Sequence, residues 1–151
     1  MIKIERLNAK DKNLLKRIYL YEEKIFGKAG VGQYNISPFT KYGRTYAIYD
    51  EIDVISVIEV LQSNDTAYIY GVSTNLKYQN MGYAKKLLNF VLDDLKKNNF
   101  KFVELTVTIE NIKAIKLYES FEFKVKEILE NEYFDNKKRY LMRKEIYATL
   151  L

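Results

Sequence analysis

The 151-residue chain is 48% hydrophobic and 30% charged, which suits one well-buried globular domain, 1–151, and leaves too little length for two ordinary ones. It has no cysteine and no histidine, so disulfides, zinc sites of the usual type, thiol nucleophiles and histidine bases are excluded, and proton chemistry falls to carboxylates, tyrosine, lysine, water or backbone. The net charge of +5 raises nucleic acid as a partner, but the lysines are scattered among acids without a patch or motif, so nucleic-acid binding is not the expectation.

Met1 leads into Ile-Lys-Ile-Glu-Arg with no basic-then-apolar leader, and no apolar run approaches membrane-spanning length, so a cytoplasmic protein with no membrane partner is expected. The wealth of Lys, Asn, Ile and Tyr suits an AT-rich, bacterial genome. Residues 2–7 alternate as a short strand. Asp11 then opens a helix whose apolar positions Leu14, Leu15, Ile18, Ile25 and Phe26 keep a helical period up to Gly27. Segment 27–43 holds four of the six glycines and the single proline, Pro38, with Tyr34, Phe39 and Tyr42 between them, and reads as irregular or briefly helical. Residues 44–50 and 53–61 form a hairpin of strands, and Asn64-Asp65 turns the chain into a fourth strand over 66–74.

After a polar loop, the helical spacing of Ala84, Leu87, Leu88, Val91 and Leu95 marks one apolar stripe of an amphipathic helix that frays at Asn98-Asn99. Residues 101–108 alternate cleanly, with Val103, Leu105 and Val107 on one side and Glu104, Thr106 and Thr108 on the other. Asn111 caps a short helix through Tyr118, and strands near 123–130 and 139–146 flank a turn containing Asn131, Asp135 and Asn136. The strand-helix-strand unit over 66–108 requires a parallel, right-handed crossover, whereas the hairpins require antiparallel neighbours, so the sheet is mixed.

Residues 79–84, Gln-Asn-Met-Gly-Tyr-Ala, fit the pattern Gln/Arg-x-x-Gly-x-Gly/Ala, and 111–118 repeat Asn-x-x-Ala-x-x-Leu-Tyr. With the element order, these motifs resemble the GNAT superfamily of N-acetyltransferases, in particular its branch acetylating ribosomal-protein alanine or small molecules. The resemblance covers nearly the whole chain and implies the α/β (α+β) GNAT fold, a mixed sheet of about seven strands flanked by about four helices. It also implies acetyl-CoA as the acetyl donor and direct attack by a primary amine, with no covalent enzyme intermediate and no metal.

The residues themselves suit an anionic donor. The N–H groups at a helix start bind phosphate, and Lys85 and Lys86 in a first helical turn oppose the helix dipole unless an anion is present. By resemblance Gln79, Asn80, Met81, Gly82, Tyr83, Ala84 and Lys85 hold the pyrophosphate. Met81 stands where the family commonly has a small or basic residue, and only its backbone is needed. Gly71 marks a bulge in the fourth strand. The resemblance then implies that the Val72 N–H meets the thioester carbonyl, that Thr74 and Asn111 contact the coenzyme arm, and that Tyr118 protonates the departing thiolate.

No proton acceptor is inherited. The positions where family members carry a glutamate on the fourth or fifth strand are Tyr68 and Thr106 here, which leaves Glu104 and Glu59 as candidates beside water. The acceptor is expected against segment 27–43, with Tyr34, and against Tyr133 and Phe134 of the last turn. Glu122-Phe123 replaces the usual Gly-Phe, so that turn must form without glycine. The acceptor is a small-molecule amine or a peptide or protein N-terminus, and a homodimer is among the assemblies the chain admits. Two rivals stay open: a catalytically silent acyl-CoA-binding sensor, supported by the missing base, and a basic RNA-associated protein with an incidental loop match.

Overall fold

The structure, a computed structural model, describes residues 1–147, so the end of the chain lies outside the account that follows. Seven strands and four α-helices follow in the order β1 Lys3–Arg6, α1 Lys12–Phe26, α2 Ile36–Tyr42, β2 Arg44–Tyr49, β3 Val54–Ser63, β4 Thr66–Thr74, α3 Tyr83–Lys97, β5 Phe102–Thr108, α4 Ile112–Ser120, β6 Lys124–Glu130 and β7 Lys138–Glu145. The sheet runs β1-β2-β3-β4-β5-β7-β6. It is mixed, as expected: β4 and β5 are parallel, while β1–β2, β2–β3, β5–β7 and β6–β7 are antiparallel. Segment 27–43 is briefly helical, as its glycines and proline allow, with a 3-10 turn at Gly27–Ala29 and then α2, whose first turn accommodates Pro38.

The chain divides into two compact units. The first comprises Met1–Leu61 and Tyr70–Asp94, and the second comprises Gln62–Ile69 and the described residues from Leu95 on. Strand β4 therefore contributes its first half to one unit and its second half to the other. Its parallel register with β5 covers Thr66–Ile69 against Phe102–Leu105.

In the first unit Asp11 caps α1 through its carboxylate to the Leu14 N–H at 3.1 Å, and Gly27 ends the helix in a left-handed conformation. The buried face of α1 carries Leu14, Leu15, Ile18, Tyr21 and Glu22, packed with Val31, Ile36, Ala47 and Val57. Ile25 and Phe26, expected on that face, are exposed instead. After Ile18 the face continues through Glu22 at i+4, so a carboxylate takes a core place. On α3, Leu87, Leu88, Val91 and Leu95 are buried as their spacing requires. In the second unit Val103, Leu105 and Val107 are buried and Glu104, Thr106 and Thr108 alternate with them. Glu122 itself adopts a left-handed φ of 68°, which makes the turn into β6 without glycine.

Candidate active site

The loop before α3 is built for close backbone approach. Gly82 has a φ of 84°, and a Cβ placed there would meet nothing within 4 Å, so glycine is present for its conformation and not for packing. Asn80 is also left-handed, at 63°. The Gly82 carbonyl accepts the first helical bond, from the Lys86 N–H at 3.0 Å, so the N–H groups of the following turn have no intrahelical acceptor. That turn carries Lys85 and Lys86, both exposed, and no acid. Met81 is exposed as well. The arrangement fits a pyrophosphate: backbone donors, a positive helix end and two cations converge on one turn.

Upstream, the second half of β4 is fixed by hydroxyls. The Ser56 hydroxyl donates to the Ser73 carbonyl at 2.7 Å and shares a 3.3 Å hydrogen bond with Thr74, while the Tyr21 hydroxyl donates to the Ser73 hydroxyl at 3.0 Å. Gly71 has a different cause from Gly82. A Cβ there would lie 3.0 Å from Oε1 of Glu59, so the absent side chain makes room for a carboxyl group.

Glu59 on β3 is 2% exposed and Glu22 on α1 is 1% exposed. The two carboxyl groups influence each other's proton affinity, and Glu22 Oε1 and Glu59 Oε2 have no hydrogen-bond partner among the described residues. Burial, reinforced by the neighbouring Glu22, holds Glu59 protonated far above the usual carboxylate range, and burial also raises Glu22. Tyr21 is raised by burial too, with smaller contributions from both acids. Sequence reasoning named Glu59 but not Glu22, although the spacing Ile18, Glu22 on an apolar helical face was the available signal.

In the second unit Tyr68, Thr106 and Tyr133 form one hydroxyl chain. Tyr68 shares hydrogen bonds with Thr106 at 2.9 Å and with Tyr133 at 2.8 Å. Burial raises the Tyr68 phenol well above its ordinary value. The turn bearing Tyr133 is internally braced: the Asn136 N–H donates to the Asn131 side chain at 2.8 Å, and Arg139 pairs in two bonds with Asp135 at 2.8 and 3.1 Å. Arg139 also lies 4.7 Å from the centre of the Tyr133 ring. The Arg139 guanidinium lowers the Asp135 carboxyl to about 2. Phe134 projects from this turn, 91% exposed with a φ of 61°, and Tyr34 in the first unit is 86% exposed.

Glu104 has a different setting from Glu59. Oε2 accepts from Arg143 at 2.8 Å and from Lys126 at 3.1 Å, so this carboxylate is paired on the polar side of β5. Asn111 caps α4, its side chain accepting from the Ala114 N–H at 3.2 Å. Tyr118 on the same helix is 8% exposed, meets Phe123 edge-on at 6.0 Å, and has no hydrogen-bond partner for its hydroxyl among the described residues. Burial pushes its phenol up to about 12, so it carries its proton at neutral pH. Among the described residues no group of three or more acids could hold a metal, and no helix is long and apolar enough to cross a membrane.

Comparison with known proteins points the same way. No curated protein matches the chain. Among solved structures it is similar to the ribosomal-protein-S18-alanine N-acetyltransferase from Escherichia coli, at 22% identity over 99% of this chain and 97% of that one, with a TM-score of 0.76. It is also similar to Ard1 from Thermoplasma volcanium, at 20% identity over 97% and 99% with a TM-score of 0.79. A GNAT family acetyltransferase from Elizabethkingia anophelis with acetyl-CoA bound gives 18% identity over 95% and 97% with a TM-score of 0.74. At these identities the likeness establishes the fold. Residues 12–123, which include α1, β4, the Gly82 loop, α3 and Tyr118, match the acetyltransferase (GNAT) family, and the chain is a member of that family of acyltransferase enzymes.

Proposed function

We propose that the protein transfers an acetyl group from acetyl-CoA to a primary amine, of a small molecule or a peptide or protein N-terminus, in the cytoplasm. The observation that carries the reading is the left-handed, unobstructed Gly82 at the start of a lysine-bearing, acid-free helical turn, a layout suited to the coenzyme's pyrophosphate. In this reading Gln79 to Lys85 hold the donor, with Thr74 and Asn111 along its arm, and the Val72 N–H polarises the thioester carbonyl. Tyr118 gives its proton to the departing thiolate. A buried phenol that is protonated at neutral pH, with a hydroxyl bonded to none of the described residues, suits that role.

On the acceptor side we assign Tyr34, Tyr133 and Phe134 to the amine's binding surface. The Tyr133 hydroxyl is fixed by Tyr68, so its direction is set before an acceptor arrives. Of the two candidate proton acceptors, Glu104 is neutralised by Lys126 and Arg143, which favours Glu59.

Calorimetry with acetyl-CoA, followed by thiol release across a panel of amines, tests the reading. Tight binding with turnover of at least one amine is expected, and binding without turnover on any of them would favour a sensor. Tyr118→Phe should leave acetyl-CoA binding nearly unchanged and slow turnover about tenfold to a thousandfold. Full activity in that variant removes Tyr118 from the mechanism.

A further inference from the structure

Where cations gather around β5 and β7, acids meet them: Lys126 and Arg143 share Glu104, and Arg139 holds Asp135. One hollow of the first unit is different. Between the β1–α1 turn and α2, a cavity of about 620 Å³ is lined by four cations, Arg6, Lys10, Lys12 and Lys41, and by no acid. The sequence spreads these residues from position 6 to position 41, and only the fold gathers them. All four are exposed, and none is ion-paired among the described residues. The acids beside them in sequence are engaged elsewhere: the Asp11 carboxylate caps α1 at the Leu14 N–H, and Glu5 accepts from the Tyr49 hydroxyl. Like charges around one concavity repel one another, and packing does not require exposed side chains to be cationic there.

The walls of this hollow are braced by the chain itself. The Leu7 N–H donates to the Thr45 carbonyl at 2.8 Å, so the chain stays tied to β2 past Arg6 before it turns. In the turn the Asn8 side chain accepts the Lys10 N–H at 2.9 Å, and the Asn8 carbonyl accepts the Asp11 N–H at 3.0 Å. On the α2 side the buried Thr40 hydroxyl donates to the Ile36 carbonyl at 2.7 Å and shares a 2.8 Å hydrogen bond with Thr45. Lys12 Nζ donates to the Ser37 hydroxyl at 3.1 Å, which links the two walls and leaves its remaining N–H donors for another partner. Cations carried on braced backbone lose less order when an anion binds.

We propose that this cavity is a second anion site, which takes a compact ligand carrying two or more linked phosphate groups on Arg6, Lys10, Lys12 and Lys41. Several negative charges concentrated in a few atoms match four cations around one hollow, whereas a single carboxylate leaves most of them unmatched. Arg6 offers a planar fork for phosphate oxygens, and the lysines act as point charges. The cavity has the size of a small-ligand site. No aromatic side chain lines it, so it offers a base no stacking surface, and the phosphates are the part that is read. It shares no residue with the 79–86 loop, and its role does not depend on the transferase reading.

The test is calorimetry of the full chain with inorganic triphosphate at about 0.15 M salt, where weak surface attraction is largely screened. Wild type is compared with two charge-neutralised pairs, Lys12→Gln/Lys41→Gln and Arg6→Gln/Lys10→Gln, and with Lys85→Gln/Lys86→Gln as the control for the α3 start. Each of the first two pairs should weaken triphosphate binding about tenfold or more, the worth of two charge-assisted contacts, and leave acetyl-CoA affinity within about twofold. The control should retain triphosphate binding at the cavity. Adenosine triphosphate separates the sources of the ligand: equal affinity means that phosphates alone are read, and tighter binding lost in the same pairs assigns the cavity to a nucleotide, both in support. Triphosphate binding that vanishes only in the Lys85/Lys86 control overturns the proposal, because the anion then sits at the α3 start. No binding to wild type, or equal affinity for inorganic phosphate, overturns it too. Tighter binding of a single-stranded RNA, lost in the same pairs, would replace the compact anion with a nucleic-acid backbone. All substituted side chains are exposed, and the Arg6/Lys10 pair has no side-chain bond to lose, so an unchanged thermal midpoint there ties the lost affinity to charge.

Discussion

The start of α3 and the buried carboxyl pair both use a glycine, for opposite reasons. Gly82 is glycine because the backbone must adopt a left-handed conformation in open space, whereas a side chain at Gly71 would crowd Glu59, its Cβ lying 3.0 Å from Oε1. The first is a site made of backbone within a few residues, and it works by presenting N–H groups outward. The second is made of buried side chains from α1 and β3, 37 positions apart in the chain. A substitution at Gly82 should therefore act on donor binding, and one in the pair should act on stability.

The largest effect on the donor side is expected from Gly82→Val. A β-branched residue is poorly tolerated at a φ of 84°, at a cost of about 2 kcal/mol. With open space around it, the loop in the variant can relax to another conformation, and acetyl-CoA must then restore the strained one. About 30-fold weaker binding by calorimetry is expected, with Gly82→Ala less affected. Equal affinity in the valine variant would separate the loop from the donor.

The pair has an effect on stability that the loop lacks. Folding raises the proton affinity of Glu59, so above the unfolded carboxyl pKa of about 4.3 the native state holds a proton that the unfolded chain has lost. Native stability from this source is therefore fully retained at low pH and declines as pH rises toward the folded value. Glu59→Gln, which mimics the protonated acid, should track wild type near pH 4 and exceed its thermal midpoint by several degrees near pH 8. Midpoints that differ by the same amount at both pH values would show that the acid is not protonated by folding.

These regions also differ in how far they were legible. The Gly82 loop could be read because its determinants lie within the eight consecutive residues 79–86 and its chemistry belongs mostly to backbone. The α3 stripe and the β5 alternation were legible because they are periodic, and the order of elements along the chain followed from such patterns and the turns between them. Glu22 was missed because a carboxylate at a core position of α1 breaks the period, and its partner on β3 is revealed only by folding. The hydroxyl chain was half visible: Tyr68 and Thr106 were noticed as replacements for carboxylates, but nothing local tells that Tyr133, 65 positions beyond Tyr68, would be bonded to it. Segment 27–43 reads as irregular or briefly helical and is briefly helical, because the N–H that Pro38 lacks in the first turn of α2 would have no intrahelical acceptor there.

The hydroxyl chain offers a finer test of side-chain chemistry. Tyr68→Phe removes both of its bonds and frees Tyr133 to rotate. An increase in the acceptor KM of roughly threefold to tenfold is expected, the worth of about one hydrogen bond, with acetyl-CoA affinity unchanged. Tyr133→Phe should reproduce that increase if Tyr68 acts through Tyr133. A Tyr68→Phe effect confined to kcat would instead place Tyr68 in the proton path.

The smallest effect separates capping from cofactor binding at Asn111. Its side-chain oxygen accepts the Ala114 N–H, which is the role of an N-cap and leaves its amide N–H₂ for another partner. Asn111→Ala should cost about 1 kcal/mol, a drop of about 2–4 °C in thermal midpoint, while Asn111→Asp keeps the cap and should recover that loss. The aspartate has no amide donor and adds a negative charge, so it should still weaken acetyl-CoA binding if the amide contacts the donor. Aspartate restoring both stability and affinity would reduce Asn111 to a cap, and the coenzyme arm would then rest on β4 and the α3 start alone.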